Sequence, residues 1–481
     1  MEHAKLSQHK FIKGKFVSPW NDMGIEFTMN PWLQNRLPEY LWLGLILKKF
    51  GRAEGLNICS QIFQYIKEFD LQTLYFSEIL SLDEKTQNLI FDKVSELAGK
   101  DSLSPLTIIT SFSNNPAFAI HFCDGKLSVE KRLNIIGETL KKAAEHQSYF
   151  ATDIRFLVIQ FQLICDRLRF TEESKCFLDA LIKYPQVSHD SVEMCIIRPQ
   201  IRAAEIGIDE DGRGHKEYLN NFWETVSVMT ECKLYTITFE QEAIDADTFL
   251  EKTKSIMEYY SDMFTSAHPL DNKMLVLLGI ATYSYKRLLE LVTFKLYNEI
   301  SGRSIVRVLI EDYIIMKYLL KHEKEHDDIW KEYQIYGIGQ YKLIAKRYEE
   351  AKMNLETSHI MYKYISLLVN EYKNEDFIDM DTTYFDKHNV REKANDIGEK
   401  ELYGLYYDYD SAYEHGLWGA IRESSLLKCD AAGHQFHCVP DIENAQKLKS
   451  VWKDAKMMII KTISVLKDQY GLPEEYKFEE E

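Results

Sequence analysis

Proline and glycine are scarce in this sequence, which has 10 prolines and 21 glycines among 481 residues. Sheets of short strands need frequent turns, and these two residues supply many of them. Their scarcity argues against a turn-rich β architecture and favours long helices, whose interiors disfavour both residues. Long hydrophobic runs are missing too, because the longest, near residues 274–282, is far shorter than a membrane-spanning helix. We therefore expect an all-α protein that does not enter a membrane.

Positive charge is in deficit, because 58 lysines and arginines face 75 acidic residues and leave a net charge of −17. An acidic chain repels nucleic acid on average, which disfavours a nucleic-acid coat or scaffold but is compatible with a local basic groove. The first sixteen residues, MEHAKLSQHKFIKGKF, have neither the apolar core nor the cleavage pattern of a signal peptide. The eight cysteines are scattered, as is typical of reduced cysteines in an intracellular protein. We expect a cytoplasmic protein.

The chain is long enough for two helical domains. Residues 208–217 combine acids and two glycines without apolar periodicity, which indicates a boundary. From Leu234, the alternating sequence LYTITFE is either a short strand or the start of a helical linker. The predicted organisation is an irregular arm (1–30), an N-terminal helical domain (31–207), a linker (208–240), a C-terminal helical domain (241–472) and an acidic tail (473–481).

Apolar residues recur at helical spacing along most of both predicted domains. The pattern predicts helices near residues 32–50, 54–69, 83–98, 129–145, 151–169, 171–184, 248–266, 272–299, 304–322, 327–348, 358–374 and 445–469.

The predicted helix at residues 304–322 is apolar on two nearly opposite sides, as expected for a buried helix. Arg303, Arg307 and Glu311 recur every four residues and form a charged stripe between those sides. Buried charges must be paired, or they destabilise the fold. Two interpretations are open. The stripe is an internal arginine–glutamate ladder that fixes the bundle, or it faces a pocket and meets polar side chains of residues 406–440.

Residues 406–440 are the chemically densest stretch of the chain, and they begin with tyrosines and acids that lead to His415. A histidine held by a neighbouring carboxylate is a plausible general base, whereas Ser411 and His415 on adjacent helical turns need not have the geometry of a hydrolase triad. Candidate catalytic residues are therefore Arg303, Arg307, Glu311 and His415, and candidate substrate-binding residues are Tyr407, Trp418 and Arg422.

The same stretch continues with Cys429, His434, His437 and Cys438, which are residue types that bind zinc. The spacing is not that of a standard zinc finger, and adjacent residues such as His437 and Cys438 chelate one ion awkwardly. We therefore expect an ordered cap over the core and predict neither a metal nor a cofactor. If a metal binds here, its expected ligands are Cys429, His434 and His437.

Residues 322–326, HEKEH, match the H-E-x-x-H motif of zinc proteases. That motif needs both histidines on one helical face over a buried site. Here all five residues are polar, as is typical of a solvated joint between two helices. We predict no zinc at His322 and His326.

The C-terminal half resembles a bacterial family of unknown function through RSIVRVLIEDYIIMKYLL, EYQIYGIGQYKL and YDSAYEHGLWGAI. In the N-terminal half, WLQNRLPEYLW and IIRPQIRAAE resemble regions of the longer members. The resemblance implies an all-helical bundle, remotely similar to HEPN nucleotide-binding and ribonuclease domains. It also implies a component of phage defence or abortive infection.

HEPN ribonucleases carry R-x4–6-H, and no histidine follows any arginine of this sequence at that spacing. A catalytic site would have to be assembled from separate helices, with Arg307, Glu311 and His415 as its candidates. Two function classes follow. One is a non-catalytic interaction or sensor protein with a protein partner or a second copy, which the acidic charge favours. The other is an enzyme acting on RNA or a nucleotide phosphate, which the dense polar stretch favours.

Overall fold

A computed structural model gives the fold of the chain. It describes residues 9–17, 31–69, 71–109, 112, 114–123, 126–145, 148–168, 175–208, 216–240, 244–266, 271–350, 359–370 and 384–478. Within these ranges helices predominate and strands are few and short, so the predicted all-α class is confirmed. Across the same ranges, each helix is too short or too polar to cross a bilayer.

The chain forms two compact units. The first comprises Met1–Tyr235 and Lys428–Val439, and the second comprises Thr236–Leu427 and Pro440–Glu481. The helices of the first unit follow a π-helical turn at Trp32–Arg36 and are α1 (Leu37–Phe50), α2 (Arg52–Ile66), α3 (Phe76–Ser81), α4 (Glu84–Ala98), α5 (Pro116–Phe122), α6 (Val129–Ala144), α7 (Tyr149–Ile164), α8 (Lys175–Lys183), α9 (Met194–Ile208) and α10 (Lys216–Met229).

Helix α1 is the centre of the first unit, and its residues from Leu37 to Leu47 are all buried. Pro38 lies in its first turn, where the missing N–H costs no hydrogen bond. Gly51, with a φ of 77°, ends the helix in a conformation that glycine adopts without strain. Phenylalanines of α3, α4 and α5 pack edge to face beside it, so much of this core is aromatic.

The second unit is also helical. Its helices are α11 (Ala246–Ser266), α12 (Asn272–Thr293), α13 (Ile300–His322), α14 (Ile329–Glu350), α15 (Tyr362–Asn370), α16 (Val390–Asp396), α17 (Asp408–Glu414, after a π-helical segment at Leu402–Tyr407), α18 (Trp418–Ser424) and α19 (Trp452–Tyr470). Helix α13 lies at the centre and packs against α12, α17 and α19. Its apolar residues are buried on several sides, as expected for the helix predicted at residues 304–322.

The strands form two small sheets. Strands β1 (Lys10–Ile12) and β2 (Lys15–Val17) make an antiparallel hairpin. Strand β3 (Leu234–Tyr235) pairs antiparallel with β4 (Leu426–Cys429), and β5 (Cys438–Pro440) follows β4 in the same sheet. In the first unit, Leu234 lies opposite Cys429 and Tyr235 opposite Lys428. The strand alternative for LYTITFE therefore applies to its first two residues.

The helix predicted at residues 445–469 begins only at Trp452. The preceding residues make other backbone hydrogen bonds, because Leu448 N–H donates to the Asn298 carbonyl and Val451 N–H donates to the Tyr297 carbonyl. These bonds replace those of another helical turn. Elsewhere, most of the boundary predicted at 208–217 and parts of the helices predicted at 171–184 and 358–374 lie outside the described residues.

Candidate functional site

The charged stripe of α13 meets polar side chains of the segment that includes α17. Arg307 Nε donates to Ser411 Oγ at 3.0 Å, and its Nη2 donates to the Tyr407 hydroxyl at 2.6 Å. The guanidinium also lies over the Tyr407 ring, 4.6 Å from its centroid. Tyr407 in turn donates to Glu311 Oε2 at 3.2 Å, and Arg307 Nη1 lies 3.6 Å from the same oxygen. The arginine side chain is thus held by three partners within the second unit.

Arg303 lies one turn before Arg307 and is buried. Its Nη1 donates to the Tyr297 carbonyl at 3.3 Å, and its Nη2 donates to the Lys449 carbonyl. Its guanidinium lies 5.6 Å from the centroid of the Tyr413 ring. Arg303 therefore links the start of α13 to the backbone at Tyr297 and at Lys449.

Asp410 is a buried carboxyl beside this network, and sequence reasoning missed it as a site residue. Burial raises its pKa to about 7, although the charges of Arg303 and Arg307 act in the opposite direction. Asp410 and Ser411 lie three and four residues after Tyr407, and Glu414 lies four and three residues after them. That pattern places them on one face opposite the α13 stripe, and it was the available signal for Asp410.

The remaining predicted site residues are not gathered with the two arginines. His415 follows α17, is exposed, and its side chain makes no hydrogen bond within the described part of the chain. Trp418 begins α18 with 69% of its surface exposed, and Arg422 on the same helix is also exposed. We find Arg307, Glu311 and Tyr407 in one network, whereas His415 has no contact that would make it their general base.

Several large apolar side chains are exposed between residues 405 and 418. We call this set the aromatic surface; it consists of Leu405, Tyr406, Tyr409, Leu417 and Trp418. The Tyr409 hydroxyl donates to Glu423 Oε1 at 2.8 Å, which links the surface to α18. Exposed tryptophan and tyrosine are enriched where proteins bind one another.

The cysteine–histidine stretch forms a second cluster, which belongs to the first unit. Cys429, His434 and His437 lie together with Cys232, and one potential ligand atom from each lies within 4.8 Å of the others. Cys232 Sγ is 3.0 Å from His437 Nε2, and Cys429 Sγ is 3.8 Å from His434 Nδ1. Sequence reasoning missed Cys232, and the neighbouring Cys438 is not part of the group.

Backbone groups surround the buried Cys429 sulfur. The N–H groups of Lys233 and Ala431 donate to Sγ at 3.3 and 3.4 Å. Burial by itself would raise the pKa of the Cys429 thiol, but these donors and His434 outweigh it and lower the pKa. The sulfur thus lies in surroundings that favour the thiolate.

The chain between β4 and β5 reverses direction tightly enough to bring both histidines back to Cys429. Gln435 and Phe436 adopt left-handed conformations, with φ of 53° and 54°. Their reversal lets Cys429 N–H donate to the His437 carbonyl at 3.0 Å. A Cβ on Gly433 would lie 2.3 Å from Thr230 Oγ1, so this close approach requires glycine.

The HEKEH residues lie elsewhere, at the end of α13. His322 is the last residue of that helix and His326 lies beyond the next short turn, so the two do not share a helical face. His322 contacts Glu325 through Nδ1 at 2.8 Å and Asp396 through Nε2 at 2.7 Å. Both of its ring nitrogens are therefore engaged by carboxylates.

The fold and the two clusters define an all-helical protein with a polar network in one unit and a cysteine–histidine cluster in the other. The model of a family described as "Family of unknown function (DUF5677)" matches residues 276–434. The matched range includes Arg307 and Tyr407, as well as Cys429 and His434, but excludes Cys232 and His437. Comparison with curated proteins and with solved structures gives no match.

Proposed function

We propose that this protein is a non-catalytic binding protein that associates with a second copy of itself through the aromatic surface. The observation that carries the proposal is the exposure of that surface, where Leu405 and Trp418 are 67% and 69% exposed. Five large apolar side chains are exposed within fourteen residues, and large exposed apolar patches commonly mark sites of association.

The arginine contacts support a non-catalytic role. A phosphate-binding arginine needs donors that are free to face the ligand. Arg307 directs its donors to Ser411, Tyr407 and Glu311, and the two terminal nitrogens of Arg303 bond to backbone carbonyls. A bound phosphate would have to break these contacts, each of which stabilises the second unit.

A second copy fits because charges of both signs accompany the aromatic surface. Arg391 lies 3.4 Å from Asp408 across exposed side chains, and Arg422 and Glu423 are neighbours on α18. In a twofold interface the same patch faces itself, so a patch with both signs can place each charge opposite its complement. A surface whose charges all had one sign would repel the same surface of a second copy.

Sedimentation velocity over a range of concentrations tests this association. We expect wild-type protein to form a dimer and Trp418→Asp to sediment as a monomer, because a charge would be buried in the apolar centre of the interface. Ile442→Asp is the matched control, since Ile442 is also in the second unit and is 86% exposed but lies outside the aromatic surface. Wild-type protein that stays monomeric, or equal dissociation by both substitutions, would overturn the proposal.

The alternative function is an enzyme acting on RNA or a nucleotide phosphate. Its specific support is Asp410, a buried carboxyl with a pKa of about 7 close to two arginines, which is a common property of acid–base residues. Incubation with single-stranded RNA and with ATP tests it, with Asp410→Asn and His415→Ala as variants. We expect no turnover by the wild type. Turnover that either variant abolishes without loss of folding would favour the enzyme.

We also propose a role in antiviral defence, which rests on the resemblance to helical defence proteins. Expression in a bacterial host followed by phage challenge tests this role. We expect fewer plaques with the wild type than with Trp418→Asp, because self-association through the aromatic surface is proposed to be needed. Equal plaque counts with the wild type and an empty vector would remove the defence role while leaving the dimer proposal intact.

A further inference from the structure

We propose that Cys232, Cys429, His434 and His437 bind one zinc ion as a structural centre of the first unit. This site is separate from the aromatic surface and from the network around Arg307, which belong to the second unit. The proposal therefore stands whether or not the protein self-associates.

The spacing of the potential ligand atoms fits a tetrahedral ion. Zinc bonds of about 2.3 Å to sulfur and about 2.0–2.1 Å to nitrogen place tetrahedral ligands roughly 3.3–3.8 Å apart. All four atoms here lie within 4.8 Å of one another, and two of the sulfur–nitrogen separations, 3.0 and 3.8 Å, are close to that range. Small side-chain shifts are enough to complete the geometry.

The ring of His434 is oriented for coordination by a neighbouring backbone group. Its Nε2 donates to the Ser227 carbonyl at 2.9 Å, which places the proton on that nitrogen. The other nitrogen, Nδ1, is then unprotonated and points at Cys429 Sγ. Zinc-binding histidines commonly donate their second ring nitrogen to a carbonyl or carboxylate in this way.

The sulfur of Cys429 also has the surroundings of a metal thiolate. Two backbone N–H groups, from Lys233 and Ala431, donate to it and offset part of its negative charge. These N–H groups lie on the two chain segments that the ion would join, the end of α10 with β3 and the β4–β5 turn. The two segments that carry the four potential ligands therefore also supply the N–H groups that stabilise the thiolate.

The ligand set selects the metal and its role. Two thiolates and two imidazoles suit zinc, whereas calcium and magnesium prefer oxygen ligands. Four protein ligands fill a tetrahedral zinc and leave no position for a substrate, which is the arrangement of structural sites. The ion would hold residues 428–439 against residues 227–233, two segments far apart in the sequence. Its binding energy would then contribute to the stability of the first unit.

The test begins with reduced full-length protein that is stripped with a chelator, reconstituted with zinc and freed of excess metal. We expect about one zinc per chain by elemental analysis. Cobalt should replace it and give the visible absorption of tetrahedral Co²⁺ together with thiolate-to-cobalt charge-transfer bands. Absence of stoichiometric zinc, or a cobalt spectrum without thiolate bands, would overturn the proposal.

Single substitutions then assign the ligands. Cys232→Ser and His437→Ala change exposed residues, so we expect folded proteins that lose at least tenfold in zinc affinity. Cys438→Ser is the matched control, because this cysteine neighbours His437 but lies outside the group, and it should retain the metal. Retention of zinc by both ligand variants would overturn the proposal. So would loss of zinc in His322→Ala, which would place the metal at the HEKEH residues.

A metal-free alternative uses the same residues, because the sulfurs of Cys232 and Cys429 are close enough for oxidation to join them with small movements. Thiol titration of the unfolded, unreduced protein distinguishes the two states. We expect all eight cysteines of the sequence to react after metal removal. A shortfall of two that requires both Cys232 and Cys429, in protein that takes up no zinc after reduction, would identify a disulfide and overturn the zinc centre.

Discussion

Cys232 Sγ lies 3.0 Å from His437 Nε2, although 205 positions of sequence separate the two residues. A second cysteine–histidine contact, between Cys429 and His434, lies beside the first. The chain therefore returns to the first unit for a short segment, residues 428–439, which carries three of the four proposed ligands. The segment thereby brings Cys429, His434 and His437 to Cys232 and completes the group of four potential ligands.

Arg307→Ala should destabilise the protein by about 1–3 kcal/mol, because it removes charge-assisted hydrogen bonds to Tyr407 and Ser411. The side chain of Arg307 is 20% exposed, so the cost should lie below that of breaking a fully buried ion pair. Urea denaturation measures the change. Arg391→Ala is the control, since its ion pair with Asp408 is exposed and should contribute at most about 1 kcal/mol.

A double-mutant cycle tests whether Arg307 acts through Tyr407. The combined Arg307→Ala and Tyr407→Phe protein should show a coupling of about 0.5–3 kcal/mol, as is usual for residues in contact. Additive effects would mean that the contact contributes nothing to stability.

Local pattern was enough to predict the helical class and the central helix. The helix predicted at residues 304–322 is observed at Ile300–His322, because a helix apolar on two sides has no stable place except the core. Two interpretations were open for the charged stripe on that helix, an internal ladder or contacts with polar side chains of residues 406–440. Arg307 contacts Tyr407 and Ser411 of that stretch. These features depend on residues a few positions apart, which sequence spacing describes well.

The cysteine–histidine cluster was predicted incompletely, because it depends on strand pairing between distant segments. Nothing in the spacing around Cys429 points to Cys232. The pairing of β3 with β4 brings the two cysteines together. The alternating sequence LYTITFE, which follows Cys232, was the available signal, because a strand at that place must pair with another strand. Cys438 was not among the expected ligands, and it lies outside the cluster. Adjacent residues of an extended chain point to opposite sides, and His437 is the one in the cluster.

Asp410 should make stability fall as the pH rises. Burial raises the pKa of its carboxyl to about 7, so the folded protein holds this proton more tightly than the unfolded chain, where an aspartate has a pKa of about 3.9. The stabilising contribution is present below about pH 4 and is lost as the pH rises to about 7. Asp312, whose pKa burial also raises to about 7, contributes in the same direction.

Asp410→Asn should therefore reduce the loss of stability that accompanies rising pH. We expect the variant to be more stable than the wild type by on the order of 1–3 kcal/mol at about pH 8 and nearly equal to it at about pH 4. Denaturant titration across that range measures the difference. Asp408→Asn changes an exposed carboxylate on the same helix and is the matched control. A variant that is less stable at high pH would mean that Asp410 is ionised and paired in the folded protein.

Two helical glycines of the second unit should respond to alanine in opposite directions. A Cβ on Gly302 would lie 2.3 Å from the Leu296 carbonyl oxygen, so Gly302→Ala should destabilise by about 1–3 kcal/mol. A Cβ on Gly279 would meet nothing within 4 Å, so Gly279→Ala should stabilise by about 0.5–1 kcal/mol through helix propensity. Thermal unfolding of both variants checks the pair, and the same sign for both would contradict this packing of α13.

The zinc centre is tested most directly by X-ray absorption at the zinc K-edge of the reconstituted full-length protein. The arrangement of Cys232, Cys429, His434 and His437 predicts two sulfur ligands at about 2.3 Å and two nitrogen ligands at about 2.0–2.1 Å. The Cys232→Ser protein, loaded with the same amount of zinc, should have at most one sulfur ligand. A wild-type spectrum with only oxygen and nitrogen neighbours would contradict the zinc centre.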